Sequence, residues 1–273
     1  MEGQHTLTLD EKYHLYESSV QYPRADIDFF KEQYQKFFHR SAKVLREDFC
    51  GTGKLSCEWV QESPSHMAYS IDLDPLPIEY GKRKHLAALS ASEQKRIHYF
   101  EDDVMNSGKI LGAKALEVDV VAALNFSFCF FKERSELRSY FTSVLKSMKK
   151  ESLLVLDLFG GIDAQSLHID ETDYEGFTYY WDCDKFNPIS SHCIYKIHYK
   201  RDCDEHKQEA VFEYDWRLWS LPEVREILLE AGFQSVHIFW EGEKDDGSGD
   251  GVFTEALEAE NCDTWVCYIV ALP

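Results

Sequence analysis

The stretch that decides the fold spans residues 44–59 and reads Val-Leu-Arg-Glu-Asp-Phe-Cys-Gly-Thr-Gly-Lys-Leu-Ser-Cys-Glu-Trp. It begins with apolar residues, passes through the acidic residues Glu47 and Asp48, and reaches a turn that contains Gly51 and Gly53. The residues after the turn have a helical pattern. Glycine lets a backbone approach a ligand closely, and the first turn of a helix carries unpaired N–H groups. A strand, a glycine turn and a helix in this order open a nucleotide-type site in a doubly wound α/β sheet.

The composition indicates a folded, acidic chain of 273 residues. Hydrophobic residues make up 44% and aromatic residues 14% of the chain. This is enough apolar surface for one sizeable core, so a single domain over residues 1–273 is expected. The formal net charge is -20 at pH 7. Such a charge repels the phosphate backbone of nucleic acids, which proteins hold with clusters of Lys and Arg. Nucleic acid is therefore an unexpected partner.

Neither a membrane segment nor a secretory signal is expected. Every apolar run is too short to span a bilayer, and the first residues lack the basic start and apolar block of a signal peptide. The eight cysteines form no Cys-x-x-Cys pair, which indicates free thiols in a reducing compartment. We therefore expect a cytoplasmic protein. Cys50 is interpreted as a small residue that fits the glycine turn, because a reactive thiol would need an electropositive environment.

Apolar periodicity predicts alternating strands and helices on both sides of the glycine turn. The main strands are expected at 43–47, 67–71, 97–100, 118–124, 153–158, 236–240 and 265–271. Helices are expected at 26–39, 54–62, 77–90, 132–149 and 221–231. Between 162 and 219 the pattern changes to strands at 177–181, 192–199 and 210–218, which predicts an antiparallel insertion. The acidic segment 243–251 is interpreted as a mobile loop, since it lacks the terminal Glu of a calcium-binding loop.

A further acidic residue lies where a nucleotide site needs one. Asp72 is the first residue after the strand predicted at 67–71, and it follows the glycine turn by about 20 residues. A carboxylate at this position accepts hydrogen bonds from both ribose hydroxyls of a nucleotide. Asp74 is followed by Pro75, and this pair fits a helix N-cap with proline at the first helical position. Asp72 is therefore the preferred ribose ligand.

The segment from Glu47 to Gly53 resembles the first motif of class I S-adenosylmethionine (SAM)-dependent methyltransferases. In that motif an acidic residue precedes a Gly-x-Gly-x-Gly turn. Glu47 matches the acidic position, and Gly51 and Gly53 match the last two glycines. Phe49 stands where the family usually has its first glycine, so the resemblance does not extend to the tightness of the turn. The block Arg-Glu-Asp-Phe-Cys-Gly-Thr-Gly resembles a subgroup of bacterial-type methyltransferases with no settled substrate.

The resemblance implies a Rossmann-like sheet of seven strands, the last of them antiparallel, with helices on both faces. It also implies SAM as the cofactor and S-adenosylhomocysteine as the product. An acidic side chain is expected against the adenine amino group, and Asp103 matches that position best, with Asp102 beside it. The cofactor residues expected in this way are Glu47, Cys50, Gly51, Gly53, Asp72, Leu73, Asp102, Asp103, Val104, Leu124 and Asn125.

The resemblance further assigns residues 1–43 as a helical lid and the insertion 162–219 to the substrate side. The expected lid or substrate residues are Tyr16, Gln21, Ser127, Trp181, Tyr195 and Arg217. Asn125 and His192 are the candidates for a catalytic role, because a general base is needed only if the acceptor arrives protonated. No metal site is expected. The aromatic residues of the insertion would suit an apolar or a cationic substrate.

The function predicted from these features is methyl transfer from SAM to a small-molecule acceptor by direct displacement. Three alternatives stay open at this point. The chain could be a catalytically inactive binding protein with this fold, and Phe49 in place of the first glycine is the reason for that alternative. It could also methylate a protein, or use the same turn and ribose acid as a nicotinamide-dependent oxidoreductase. The sequence specifies neither the acceptor atom nor the oligomeric state.

Overall fold

The computed structural model describes residues 6–244 and 248–273. Within these residues the helices are α1 (Leu9–Ser19), α2 (Pro23–Phe38), α3 (Lys54–Glu62), α4 (Pro75–Lys84), α5 (Ala91–Gln94), α6 (Ser107–Leu111), α7 (Arg134–Lys146) and α8 (Leu221–Ala231). The strands are β1 (Val44–Asp48), β2 (Met67–Asp72), β3 (Ile97–Glu101), β4 (Val120–Ala123), β5 (Leu153–Gly160), β6 (Ile169–Tyr174), β7 (Phe177–Phe186), β8 (His192–Arg201), β9 (Gln208–Arg217), β10 (Ser235–Glu243), β11 (Gly249–Glu255) and β12 (Trp265–Leu272). None of the helices among these residues is long and apolar enough to cross a membrane.

The main sheet has the order β11-β10-β12-β5-β4-β1-β2-β3. The strands from β3 to β5 are parallel, and β12 lies antiparallel between β5 and β10. Helices α2 and α3 pack on one face, and α7 and α8 on the other. The predicted α/β sheet with an antiparallel last strand is confirmed. Its carboxyl edge at β1 and β4 is the point where ligands bind in such sheets, because the strand order reverses there.

The prediction of seven strands is wrong, because the sheet has an eighth strand at its edge. Both ends of the segment interpreted as a mobile acidic loop belong to strands, because β10 ends at Glu243 and β11 begins at Gly249, and these two strands pair antiparallel. Residues 245–247 of that segment lie outside the described part of the chain. A strand at the edge of a sheet can have mostly exposed, polar side chains. Such a strand lacks the alternation of apolar and polar residues from which strands are predicted.

The insertion is a separate antiparallel sheet of four strands in the order β6-β7-β8-β9. The sequence predicts the last three strands but not β6, whose residues are almost all exposed. Its polar segment Asp170-Glu171-Thr172-Asp173 has no apolar face, so periodicity could not detect it. The strands β7 and β8 are ten residues each, and they carry aromatic side chains toward the carboxyl edge of the main sheet.

The first helix contacts α4 and the insertion, whereas the second packs with α3 on one face of the main sheet. Helix α1 begins with a capping box, in which Thr8 and Glu11 satisfy each other's backbone N–H groups. It lies on α4, where the rings of Tyr13 and Tyr80 are 5.1 Å apart. Helix α2 buries its aromatic face on the sheet, and the ring of Phe29 stacks on Tyr268 at 4.2 Å. The segment that joins the two helices therefore crosses the carboxyl edge of β1.

Strand β1 contains a fully buried ion pair. Arg46 and Asp48 alternate along the strand, so both side chains point to the same face. The guanidinium donates to both carboxylate oxygens at 2.7 and 2.5 Å, and the two side chains are 1% and 0% exposed. The hydroxyl of Tyr140 donates to Asp48, and Arg46 donates to Ser147. Glu47 consequently points to the opposite face, toward α3.

Replacing Arg46 with Met should lower the free energy of unfolding by about 3–5 kcal/mol, because Asp48 is left as an uncompensated buried charge. The double variant Arg46→Met/Asp48→Leu should recover part of that loss. Urea denaturation measures both. Arg134→Met is the control, since it breaks an exposed pair with Glu230 and should barely change the midpoint. An Arg46→Met variant as stable as the parent would contradict this account of β1.

Candidate functional site

The backbone of the glycine turn is left-handed at all three motif positions. The φ angles are 57° at Phe49, 53° at Gly51 and 65° at Gly53. A β-carbon on Gly53 would lie 2.6 Å from the ring of Tyr99, so this position excludes a side chain. Phe49 has the conformation that a glycine would adopt, and its ring packs against Tyr140 at 5.7 Å. The turn therefore keeps its tight shape although the first glycine of the motif is missing.

Asp72 is bound directly to this turn. One carboxylate oxygen accepts the backbone N–H of Gly51 at 2.7 Å, and the other accepts the N–H of Asp74 at 2.9 Å. Burial raises the pKa of Asp72 despite these bonds. Asp74 is the N-cap of α4, as its sequence predicts, with its side chain accepting from Leu76.

A small cleft opens beside the turn, between the first strand and the segment that joins α1 to α2. It measures about 20 Å³. Its lining residues are Gln21, Pro23, Asp26, Glu47, Asp48, Phe49, Leu55, Leu124 and Asn125. The side-chain oxygen of Gln21 is buried there and has no hydrogen-bond partner. A buried acceptor without a partner costs free energy, so it marks a place where a ligand donor fits.

Two carboxylates that line this cleft, Glu47 and Asp26, have raised pKa values, and so has Asp157, which binds the backbone of the lining residue Asn125. Burial raises the pKa of Glu47 to about 8, although its carboxylate accepts two hydrogen bonds from Ser56. Burial raises the pKa of Asp26 to about 6, against the opposing effect of the Tyr268 hydroxyl. The pKa of Asp157 on β5 rises to about 7 for the same reason. The charged neighbours that raise these pKa values are other carboxylates, so an ionised carboxylate here is stabilised only when a cation comes close.

Asp157 is a site residue that sequence reasoning missed. Its two oxygens accept the backbone N–H groups of Asn125 and Phe126 at 2.7 and 2.8 Å. Both residues have positive φ, at 56° and 57°. The carboxylate thus holds the exit of β4 in a strained conformation and aims it across the carboxyl edge of the sheet. In the sequence Asp157 is the one polar residue of an apolar strand, and that was the signal available.

Glu17 is the second residue that was missed. It is 4% exposed and lies on α1 directly above the glycine turn. Its carboxylate oxygen accepts the hydroxyl of Thr52 and contacts a ring nitrogen of His85, both at 2.6 Å. The backbone oxygen of Thr52 would lie 1.7 Å from a β-carbon on Gly81, so α4 also needs a glycine to approach the turn. Helix α1 is in this way attached to the turn from above.

A much larger cavity, of about 1080 Å³, adjoins the exit of β4. One wall belongs to the insertion and consists of Tyr179, Trp181, Tyr195, Tyr214 and Trp216. Tyr16 of α1 and Phe126 and Phe159 of the main sheet continue that wall. The opposite wall comes from β10, β12 and the segment between β11 and β12. Carboxylates around the cavity are Asp163, Asp170, Glu241, Glu243, Glu258, Glu260 and Asp263.

The predicted site residues divide into three groups in the structure. Gln21, Glu47 and Leu124 line the cleft, Tyr16, Trp181 and Tyr195 line the cavity, and Asn125 lines both. Cys50, Gly51, Gly53, Asp72, Leu73, Asp102, Asp103 and Val104 follow the turn and the ends of β2 and β3. His192, Ser127 and Arg217 line neither space.

The last three residues have other partners. The hydroxyl of Ser127 donates to the backbone oxygen of Leu124, inside the loop after β4. Arg217 stacks on Trp219 at 3.8 Å and donates to Glu223, so it joins the insertion to α8. His192 begins β8 opposite Arg217 in the pairing register. Asn125 lines both spaces and His192 lines neither, which favours Asn125 for contact with reactants.

The groove from the turn to β3 has polar groups suited to a nucleoside. Asp103 uses one oxygen to cap the short helical turn at Val104–Asn106. Asp102 accepts from the backbone of Asp103 and from Asn106, which lowers its pKa. Leu73 is 70% exposed at the end of β2 and offers an apolar contact there.

Burial raises the pKa of the Cys50 thiol, so that residue fills space and is not a nucleophile. The described residues contain no group of three His, Cys, Asp or Glu side chains that could hold a metal ion.

Solved structures share this architecture, whereas no protein-family model and no curated protein matches the sequence. An S-adenosylmethionine-dependent methyltransferase from Clostridium acetobutylicum aligns with a TM-score of 0.67 at 15% identity, over 95% of this chain and 97% of that one. The sugar N-methyltransferase KedS8 from Streptoalloteichus aligns at 0.61 and 17% identity, over 100% and 96%. The SAM-bound amino pentose methyltransferase CalS10 from Micromonospora echinaspora aligns at 0.63 and 13% identity, over 98% and 99%. The chain has the fold of class I methyltransferases.

The conformation of Phe49 leads to a test by paired substitution. At most positions Gly is less stable than Ala by roughly 0.5–1 kcal/mol. At a left-handed position the order reverses, because a β-carbon costs roughly 1–2 kcal/mol there. Phe49→Gly should therefore be more stable than Phe49→Ala by about 1 kcal/mol in urea denaturation, although both lose the packing of the ring. A more stable Phe49→Ala variant would show that the backbone at this position is not left-handed.

Proposed function

We propose that this protein is a SAM-dependent methyltransferase that acts on a small-molecule acceptor. The observation that carries the proposal is the cleft beside the glycine turn, where the buried carboxylates of Asp26 and Glu47 lie with the unpaired oxygen of Gln21. Keeping carboxylates in such a place costs free energy unless a cation joins them. SAM has two cationic groups, a sulfonium and an α-ammonium.

The residues present fit this cofactor. The unpaired oxygen of Gln21 would accept from the ammonium group, and Glu47 and Asp26 beside it would ionise to balance its charge. Asp72 would bind the ribose, and Asp103 would bind the adenine. When bound, SAM supplies an activated methyl group on sulfur. The protein then has to hold the acceptor in line and to exclude water.

The segment of α1 and α2 is suited to the role of a lid. The cleft has room for about one water molecule, so a larger group requires Gln21 and its neighbours to move outward. Glu17 binds α1 to Thr52 and His85, and Asp10 at the start of the helix pairs with Arg83 of α4. Tyr16 of the same helix reaches the large cavity. We infer that closure of this segment completes both the cofactor site and the substrate cavity.

A nicotinamide cofactor suits the site less well. Its pyrophosphate is anionic and needs backbone N–H groups or basic side chains. Here one N–H of the glycine turn is already bound to Asp72, and the nearby charges are negative. The neighbouring solved structures named above are methyltransferases as well.

The choice is tested by calorimetric titration of the purified chain with SAM, S-adenosylhomocysteine and NAD in parallel. Binding of both sulfur ligands without NAD supports the proposal, and binding of NAD alone would overturn it.

The role of Asp72 can be separated from general charge effects by two matched substitutions. Asp72→Asn should weaken SAM binding by about 1–3 kcal/mol, because a ribose hydroxyl loses a charged acceptor. Asp74→Asn removes the same charge two residues away, and Asn is an equally good N-cap, so binding and stability should change little. The affinities are measured by calorimetry. Equal effects of the two variants would remove Asp72 from the proposed ribose site.

A further inference from the structure

The large cavity has an aromatic wall with an unusual concentration of ring faces. Trp181 stacks on Tyr195 with centroids 4.7 Å apart, and Tyr214 stacks on Trp216 at 4.4 Å. Phe159 meets Tyr195 edge-on at 5.4 Å and extends the wall to the carboxyl end of β5. Ring faces carry the negative part of the aromatic quadrupole and attract cations. The wall therefore suits a body that is both apolar and positively charged.

The charges around the cavity have the same sign. The described lining residues include the seven carboxylates named above and no Lys or Arg. The basic group His168 is hydrogen-bonded to Asp170 at 2.9 Å, so its charge is compensated by that residue. Glu241 accepts the N–H of Gly251, and burial raises its pKa. An anionic substrate would meet repulsion from several sides, whereas a cation would relieve it.

One lining residue has a donor without a partner. Trp216 is 2% exposed, and its indole N–H makes no hydrogen bond within the protein. A buried donor of this kind normally finds an acceptor, because leaving it unpaired costs about 1–3 kcal/mol. Trp216 stands in the middle of the aromatic wall, beside Tyr214 and Phe126. A bound molecule that carries a hydroxyl or carbonyl oxygen would supply the acceptor.

We propose that the methyl acceptor is the nitrogen of an organic amine, bound as a cation between the aromatic wall and the carboxylates of this cavity. This inference rests on the proposed function and deepens it. The amine would lie at Asn125 and Phe126, where the cavity and the cofactor cleft meet. Its apolar or cyclic body would cover Trp181 and Tyr195, and an oxygen on that body would face Trp216.

Methyl transfer from SAM to an amine needs no further reactant. The ammonium loses a proton to water, which frees the nitrogen lone pair. That pair forms the new bond to the methyl carbon, while the electrons of the broken carbon–sulfur bond stay on sulfur. The products are the methylated amine, which the same aromatic faces can hold as a cation, and S-adenosylhomocysteine. The carboxylates help to bind the amine, and no residue has to act as a nucleophile.

The test compares three probes of nearly the same shape and different charge on the full chain without cofactor. They are choline, its neutral isostere with carbon in place of nitrogen, and the corresponding carboxylic acid. Binding is followed by quenching of tryptophan fluorescence and by calorimetry. Choline should bind at least about tenfold more tightly than the neutral isostere. Equal or weaker binding of choline, preference for the acid, or no cation preference at all would overturn the inference.

Two substitutions and a control locate the binding. Glu241→Gln should weaken choline binding about fivefold and leave the neutral isostere unchanged, because only the charge is lost. Trp181→Leu should weaken choline binding by a similar factor while keeping an apolar wall. Glu226→Gln, an exposed charge change on α8, should alter neither. Choline affinity that none of the cavity variants changes would also overturn the inference.

The failure of this inference can be told apart from failure of the proposed function. SAM is titrated separately into the same preparations, and neither Glu241 nor Trp181 lines the cofactor cleft. SAM binding without a cation preference in the cavity would leave the methyltransferase proposal standing and reject the amine. A cation preference without SAM binding would reject the methyltransferase and show a cation-binding protein instead.

Discussion

The structure depends on a group of carboxylates that lie close together, out of water and without a nearby counter-ion. Glu47 lies on β1, Asp26 on α2 and Asp157 on β5, which β4 separates from β1, and each has a pKa raised by burial. Such an arrangement is unfavourable in the free protein. It becomes favourable when a cation enters, and that requirement links the fold to its proposed function.

The surrounding elements explain how this arrangement is held. The buried pair of Arg46 and Asp48 neutralises one acid of β1 and fixes the strand, whereas Glu47 on the other face is bound by the backbone and hydroxyl of Ser56. Asp157 binds the exit of β4 and brings Asn125 and Phe126 to the boundary between cleft and cavity. Helix α1 closes the site from above through Glu17. The insertion then adds an aromatic wall that the main sheet alone does not provide.

The sequence predicts most of this fold because its main strands are apolar and its turn is rich in glycine. The strand, turn and helix around Gly51, the position of Asp72 and the antiparallel strand β12 follow from pattern and resemblance. The edge strands β6 and β11 could not be predicted, since their exposed polar residues have no periodicity to detect. The left-handed φ of Phe49 could not be predicted from the residue type either, because only the surrounding packing imposes it.

The sequence predicts a site residue only where a local motif or a strand end marks it. Gln21, Glu47 and Asn125 meet in the cleft, as the resemblance implies, although they are far apart in the chain. Asp157 and Glu17 have their roles through residues distant in sequence, so the sequence marks Asp157 only as a polar residue in an apolar strand and does not mark Glu17. Arg217 and His192 are charged or titratable residues in the insertion, yet the pairing of β8 and β9 turns them away from the cavity. Burial and topology decide these cases.

The most direct test of the central claim is the number of protons released when SAM binds, obtained from calorimetric heats in buffers with different ionisation enthalpies. In the free protein Glu47 and Asp157 have raised pKa values, so both are substantially protonated near pH 7. A bound cation favours the ionised forms and lowers these pKa values. We expect proton release at pH 7, a SAM affinity that rises between about pH 5 and pH 7, and a smaller release in Glu47→Gln. SAM binding with no proton release, or a release that Glu47→Gln leaves unchanged, would contradict the account.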